Sequence, residues 1–493
     1  MSVKNSALHL AGLMAATLFS STALADELRL GLVLEPPHLD PTAGAAAAID
    51  EVVYANLFEG LTRIDQNGAV QPSLATDWTI SDDGTRYEFT LKEGVTFHDG
   101  TSFDAEDVKF SLDRARAEDS VNAQKGIFAP ITKVEVLAPN KIAIEIANPQ
   151  GNFLFNLGRG DAVIVAPESA ETNQTNPVGT GPFKFVDWQQ GSKVILEKNP
   201  DYVGDDVYLD RAIFTFISDP NAAQNAMLAG ELDGFANFPA PETLEIFEAD
   251  PRFNVVVGST EGETILATNN KAEPFNDLRV RQAIAHVIDR QAIIDGAMFG
   301  YGTPIGTHFA PHHPYYVDLL DTYPRDLERA KALLAEAGYA DGFKATLKLP
   351  PPTYARRGGQ ILAAQLREIG IDLELINVEW AQWLEDVFTN KDYDLTIVSH
   401  VEPFDIGIYA NPDYYFQYDN KAFQDLIATL NVVTDDAERE KLAQDAQRIL
   451  SEDAVNGYLF QLAKTGVWDA RLSGMWPNSP VEGNDLTQVK WAE

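Results

Sequence analysis

The sequence of 493 residues contains no cysteine, and its 37 basic residues are outnumbered by 74 acidic ones. The absence of cysteine excludes disulfide bonds, a cysteine nucleophile and a lipid-modified N-terminal cysteine. The formal net charge of -37 argues against nucleic acid as a partner, because that binding depends on basic side chains that neutralise phosphates. For the same reason it argues against docking on an anionic lipid surface.

Long apolar runs and catalytic motifs are also missing. Beyond the N-terminal leader, no segment reaches about 18 consecutive apolar residues, so the sequence predicts no membrane span. The motifs G-x-S-x-G, H-E-x-x-H and G-x-x-x-x-G-K-S/T are absent. With 74 acids, carboxylate pairs arise by chance and do not indicate a glycosidase. The sequence therefore gives no support for an enzyme and predicts no cofactor.

The N-terminal segment, residues 1–25, has the pattern of a secretory signal peptide. One basic residue, Lys4, precedes a short apolar run, and the small-residue pattern Ala-Leu-Ala ends at Ala25. We expect cleavage after Ala25, a mature chain that begins at Asp26, and an exported protein without a lipid anchor.

The mature chain is too long for one ordinary core, so we expect at least two lobes. The stretch from Trp78 to Leu112 predicts a strand hairpin followed by a helix capped by Asp104, with mainly structural residues. The segment 277–300 predicts one long helix. The second half alternates helices and strands, which indicates an α/β fold.

Several blocks carry a specific resemblance, in order along the chain: "LATDWTISDDGTRYEFTLKEGVTFHDGTSFDAEDVKFSLDR", "NPVGTGPFKF", "KNPDY", "GELDG", "NNKAEPFNDLRVRQAIAHVIDRQAII" and "AKALLAEAGY". Together they resemble the bacterial extracellular solute-binding proteins of family 5, the peptide/nickel type. The resemblance implies a two-lobed, class II-like periplasmic binding protein of three domains, with its ligand cleft between hinged lobes.

The expected domain limits follow from this resemblance and from a polar, proline-containing stretch at 266–277. Lobe 1 covers 26–265, as domain I with domain II inserted at about 60–175. Lobe 2 (domain III) covers 266–470, and the chain returns to lobe 1 over 471–493.

The loop after the strand "DLTIVSH" is the strongest candidate for ligand binding, because α/β folds place ligands at the carboxyl ends of strands. It carries His400, Glu402, Asp405 and Tyr409. In peptide-binding relatives, an Asp of the corresponding loop pairs with the α-amino group of the ligand. Asp405 matches that residue best, while Glu402 competes for the role, and a solvated acidic loop is the alternative.

A second candidate group follows the strand "KATLKLP". Peptide-binding relatives carry an arginine here for the ligand carboxylate, and Arg356 and Arg357, next to Tyr354, are the matching residues. A surface pair at a helix N-terminus is the alternative. Trp380 and Trp383 line the cleft or pack a helix, with neither favoured.

Histidines supply two weaker candidates. The resemblance places the loop of His38 at the cleft, which makes this side chain a possible contact. His308, His312 and His313 form a cluster, but Pro311 and Pro314 prevent a helix that would align them, so we predict no metal site.

The resemblance implies a periplasmic protein that captures a small peptide or peptide-like solute and delivers it, as a monomer in transient contact, to the membrane permease of an ABC importer. A nickel chelate, an oligosaccharide or an opine-like conjugate is the alternative cargo. A secreted hydrolase and a signalling or chaperone-like role are more distant alternatives.

Overall fold

The computed structural model describes residues 26–44, 46–433 and 435–492. The predicted signal peptide lies outside these residues. The strands of the described chain are β1 Glu27–Leu32, β2 Thr62–Ile64, β3 Val70–Pro72, β4 Ala75–Ile80, β5 Arg86–Leu91, β6 Ile131–Ala138, β7 Lys141–Ile146, β8 Phe183–Gln189, β9 Lys193–Lys198, β10 Arg211–Phe216, β11 Gly234–Phe235, β12 Phe253–Thr268, β13 Gly302–Pro304, β14 Phe343–Leu349, β15 Ile371–Asn377, β16 Leu395–His400, β17 Gly457–Asp469, β18 Leu472–Ser473 and β19 Lys490–Trp491. The α-helices are α1 Ala47–Val53, α2 Ala105–Arg116, α3 Phe153–Asn156, α4 Pro220–Ala229, α5 Leu244–Glu248, α6 Leu278–Val287, α7 Arg290–Met298, α8 Leu327–Glu336, α9 Thr353–Arg367, α10 Trp380–Trp383, α11 Lys421–Leu430 and α12 Asp436–Glu452.

Strands from both halves of the chain join one large sheet, in the order β15-β14-β16-β12-β17-β11-β1-β10-β9-β8, with β13 paired to β17. On one side, β1 runs parallel to β10 and β11. On the other side, β14 runs parallel to β15 and β16. We call the side with β1 and β8–β11 lobe 1 and the side with β14–β16 lobe 2.

The long strands β12 and β17 connect the lobes. Their register runs without a shift from Phe253 to Ser259, breaks, and resumes at Glu263. The segment after this break also pairs with β16 of lobe 2. A bulge bends a strand and increases its twist, so residues 260–262 mark a bend in β12 where this strand passes from one lobe to the other. The lobe limits at 265/266 and 470/471 stay predictions.

The stretch from Trp78 to Leu112 is structural scaffold. Its strands β4 and β5 belong to a separate four-stranded sheet in the order β4-β5-β7-β6, and Tyr87, Phe89 and Leu91 are buried against α2 and its neighbours. The Asp104 side chain accepts from the amide of Glu106, which confirms the predicted cap. The C-terminal segment packs on lobe 1, where the Trp491 indole donates to the carbonyl oxygen of Glu27.

The prediction of one long helix over 277–300 is wrong. The chain forms α6 and α7 instead, because Ile288 has extended backbone angles, φ -61° and ψ 115°. Asp289 then caps α7 by accepting from the amide of Ala292. The apolar spacing continues across both helices, so periodicity alone did not reveal the break.

Candidate functional site

A cleft lies between the two lobes, beside the bulge of β12. It holds two adjoining cavities of about 280 Å³ and 100 Å³, both bordered by Ala47, Val401 and Glu482. Together these cavities have the size of a small-solute site, for which about 300 to 1,000 Å³ is usual. A separate cavity of about 500 Å³ lies within the amino-terminal half of the chain and meets the cleft at Asp161.

The lobes touch across this cleft. Phe155, from the first half of the chain, packs edge-on against Phe404 of lobe 2, with ring centroids 5.0 Å apart. Phe155 and Pro403 also line the smaller cavity. The structure therefore shows the lobes in contact beside these cavities.

The loop after β16 brings Asp405 against two histidines. The Nε2 of His308 lies 2.5 Å from Oδ1 of Asp405, and the Nδ1 of His400 lies 3.6 Å from Oδ2. Burial opposes the charged carboxylate, yet these two imidazoles hold the pKa of Asp405 below its ordinary value. Burial lowers the pKa of His400, against the pull of Asp405. Both carboxylate oxygens of Asp405 thus face protein partners.

Glu402 is placed differently. Its side chain lines the smaller cavity and accepts a hydrogen bond at 3.2 Å from the amide of Val401. Its carboxylate can therefore meet a solute in the cleft, whereas Asp405 would first have to leave His308.

Tyr409 supports the same cluster from behind. It is 1% exposed, and its hydroxyl lies 3.2 Å from Nδ1 of His308 and accepts from Asn456. His400 is held in turn by the hydroxyl of Tyr415, 2.9 Å from its Nε2. In the sequence, His308 stands out only as a member of a histidine cluster, and its pairing across 97 residues with Asp405 has no local signal.

The two arginine candidates are not among the described residues that line the two cavities of the cleft. Arg356 donates to the carbonyl of Val378 and pairs with Glu379 at 3.0 Å. Arg357 lies over the ring of Phe299 and reaches to 3.9 Å from Glu242, which precedes β12. Both guanidinium groups thus already have protein partners.

Of the two tryptophan candidates, one is buried and the other is partly exposed. Trp383 is buried, and its indole N–H donates to Thr396. Trp380 is 38% exposed and packs edge-on against Trp383. The Tyr354 hydroxyl lies 3.4 Å from the amide of Ser399.

The predicted contact His38 lies at the rim. Its Nδ1 accepts a hydrogen bond at 3.3 Å from the amide of Asp40, and its ring packs against Gly44, which borders the smaller cavity. A role in binding stays a prediction for all of these side chains.

Sequence reasoning missed the contribution of the first half of the chain. Asp50 and Glu51 of α1, together with Arg159 and Asp161, border the two cavities. Lys464 of β17 and Glu482 of the C-terminal segment complete them. These residues come from segments far apart in the sequence, so only the fold brings them together.

Among the residues that the structure describes, one group could hold a metal ion. His400, Glu402 and Asp405 can each offer a ligand atom within 4.8 Å of the others. Imidazole and carboxylate groups suit several divalent metals, but Asp405 is engaged by His308. The predicted absence of a metal site stays a prediction.

Comparison with known proteins identifies the family. The sequence model described as "Bacterial extracellular solute-binding proteins, family 5 Middle" matches residues 69–424. The chain belongs to the family 5 solute-binding proteins. Among its relatives, the glutathione-binding protein GsiB of Salmonella paratyphi A is 31% identical over 356 residues, which cover 71% of this chain and 69% of the relative.

Solved structures of similar proteins share the fold. The periplasmic binding protein DppA of Helicobacter pylori, in complex with the peptide STSA, aligns with a TM-score of 0.83 and 26% identity over 95% of this chain and 98% of that one. The binding protein AgaA of A. tumefaciens R10, in complex with agropinic acid, aligns with a TM-score of 0.82 and 25% identity over 95% and 99%. The two-lobed periplasmic binding-protein fold is thereby confirmed.

The family settles the general role. This chain is the substrate-binding component of an ABC importer and takes up its solute between two lobes. Family members bind solutes and work with a membrane permease. In the described part of the chain, no helix is both long and apolar enough to cross a membrane.

Proposed function

We propose that the protein captures a small peptide or peptide-like solute in the periplasm and passes it, unchanged, to the inner-membrane permease. The observation that carries this proposal is the cleft between the lobes, bordered by charged groups from both. Relatives of known cargo support it, because they include glutathione- and peptide-binding proteins. The protein acts as a monomer without catalytic activity, and the cleaved leader leaves it free of a lipid anchor.

Within the cleft, Glu402 is the better anchor for an amino group of the solute. Its carboxylate borders the cavity, whereas Asp405 is held by His308. For a solute carboxylate, Arg159 and Lys464 border the cavities, whereas Arg356 pairs with Glu379. Glu402 with either of these cations provides the opposed charges that a zwitterion requires.

A metal chelate or an opine-like conjugate is the second candidate cargo. The grouping of His400, Glu402 and Asp405 supports the first, because those side chains can converge on one ion. The likeness to AgaA, which was solved with agropinic acid, supports the second.

A thermal-shift and calorimetric screen tests the proposal. We expect di- or tripeptides to raise the melting temperature and to bind with a stoichiometry of one, and to be recovered intact afterwards. A screen in which nickel–histidine or an opine binds and no peptide does would replace the peptide proposal with the second cargo. Hydrolysis of a bound peptide would contradict the transport role.

A further inference from the structure

The cleft carries more negative than positive charge. Five carboxylates border its two cavities, Asp50, Glu51, Asp161, Glu402 and Glu482, against two basic side chains, Arg159 and Lys464. These carboxylates come from four separate segments of the chain and from both lobes. The excess of negative charge therefore does not come from one acidic loop.

The two cations balance only part of this charge. Arg159 lies 3.4 Å from Asp161 and also acts on Asp50, whose pKa it partly lowers. Lys464 is 3% exposed, donates to the backbone carbonyls of Trp476 and Asn478, and partly offsets the charges of Glu51 and Glu482. The remaining carboxylates need positive charge from elsewhere or must hold protons.

One oxygen in the cleft lacks any partner. Oδ1 of Asp50 is buried and makes no hydrogen bond among the described residues, although its side chain borders the smaller cavity. A Cβ on Gly160 would lie 2.2 Å from this oxygen, so the glycine leaves just enough room for the carboxylate. A buried acceptor without a donor costs free energy, which a donor from the solute would recover.

The protonation equilibria agree with this geometry. Burial, together with Glu482, raises the pKa of Glu51 to about 7, and Lys464 only partly offsets it. Burial and Asp161 hold the pKa of Asp50 well above its ordinary range. Burial and Glu402 raise the pKa of Glu482. Burial and mutual repulsion thus favour the protonated forms of these three carboxylates.

We infer that the solute is a net cation: beyond the charges of a zwitterion, it carries a further ammonium or guanidinium group that faces Asp50, Glu51 and Glu482. An anionic solute would add to the repulsion, and a neutral zwitterion would leave most of the excess uncompensated. This inference rests on the proposed function, since it assigns the charge class of the same solute. It selects basic peptides and basic amino-acid conjugates from the cargo of the family.

The test compares three dipeptides of matched size: Ala-Lys, Ala-norleucine and Ala-Glu. We expect Ala-Lys to bind about tenfold or more tightly than Ala-norleucine and Ala-Glu not to bind, as for a buried charge pair. Binding of Ala-Lys should also release protons at pH 7, seen as a dependence of the calorimetric heat on the ionisation enthalpy of the buffer. Equal binding of Ala-Lys and Ala-norleucine, or tighter binding of Ala-Glu, would overturn the inference.

Single substitutions test where the extra positive group of the solute lies. Glu51→Gln and Glu482→Gln should each reduce the preference for Ala-Lys over Ala-norleucine. Glu328→Gln, whose side chain is 89% exposed on α8, is the matched control and should leave it unchanged. Retention of the full preference in both cleft variants, with folding verified by circular dichroism, would contradict the assigned position of the cation.

Non-peptide probes separate this inference from the proposed function. If no dipeptide binds but agmatine or putrescine does, while γ-aminobutyrate and succinate do not, the charge class stands and the peptide proposal fails. If neutral or anionic probes bind and the cations do not, or no cationic probe binds at up to about 10 mM, the charge class fails. Equal stabilisation by Ca²⁺ alone would also overturn it, because it would show a site for a bare ion.

Discussion

The substitution Glu51→Gln should stabilise the solute-free protein, and more so at high pH than at low pH. The folded protein raises the pKa of Glu51 from an ordinary 4.5 to about 7, first because the group is buried and second because Glu482 faces it. A folded-state pKa above the unfolded value means that stability is fully present below about pH 4.5 and is lost as the pH rises through 7. Glutamine keeps the shape of the side chain without the charge, so this loss should disappear.

The size of the expected stabilisation follows from the size of the pKa shift of Glu51. At about 1.4 kcal/mol for each pKa unit, the charged Glu51 costs about 3 kcal/mol at pH 8 and below about 1 kcal/mol at pH 5. The unfolding entropy is about 2.1 cal/mol/K per residue. For a chain of this length, the melting temperature of Glu51→Gln at pH 8 should therefore be about 3 °C higher than that of the wild type.

Calorimetric melts of wild type and Glu51→Gln at pH 5, 6, 7 and 8 provide the assay, with Glu328→Gln as the exposed control. The groups that face Glu51 are Glu482 and Lys464, so Glu482→Gln should show a smaller change of the same sign. A pH-independent difference, or a Gln variant that melts lower at pH 8, would refute the reasoning. Agreement would show that the closed cleft holds an uncompensated charge.

Other substitutions test the site and the scaffold. Glu402→Gln should weaken solute binding by about 30-fold or more, with little change in melting temperature. Asp405→Asn should mainly lower the melting temperature, because it loses the ion pair with His308. The opposite pattern in calorimetry and in melting would make Asp405 the anchor. Gly179→Ala should destabilise the fold strongly, since its Cβ would lie 2.0 Å from the backbone oxygen of Leu57. Gly126→Ala is the control, because its Cβ would meet open space. Equal melting temperatures of the two variants would contradict the close approach of Gly179 to Leu57. A solute at about 100 times its Kd should stabilise the protein by about 2.7 kcal/mol and reduce its radius of gyration, and a bound solute that changes neither quantity would exclude closure.

Local signals predicted much of the secondary structure. Asp104 caps α2 as predicted, and this effect depends only on neighbouring residues. The end of α4 at Gly230, whose φ is 72°, depends on a local signal of the same kind. The break between α6 and α7 was missed because the apolar face continues through Ile288 into the next helix. There, an available cap at Asp289 competes with continued helix, and the tertiary packing decides.

The site was predictable only in part for a related reason. The loop of Glu402 follows a recognisable buried strand, so its position at the cleft could be expected. The partners of Arg356 and Asp405 lie 23 and 97 residues away, and nothing local shows that Glu379 and His308 engage them. Residues such as Asp50 border the site only because the fold brings α1 beside the loop of Glu402.

The most direct measurement is mass spectrometry of the solute released by denaturing the natively purified protein, followed by rebinding of that solute. We expect one small cationic peptide-like compound, present at up to one molecule per chain, which rebinds with a stoichiometry of one and is recovered chemically unchanged. Conversion of the compound on incubation with the protein, or failure of any released or supplied small solute to bind saturably, would contradict a solute-binding role.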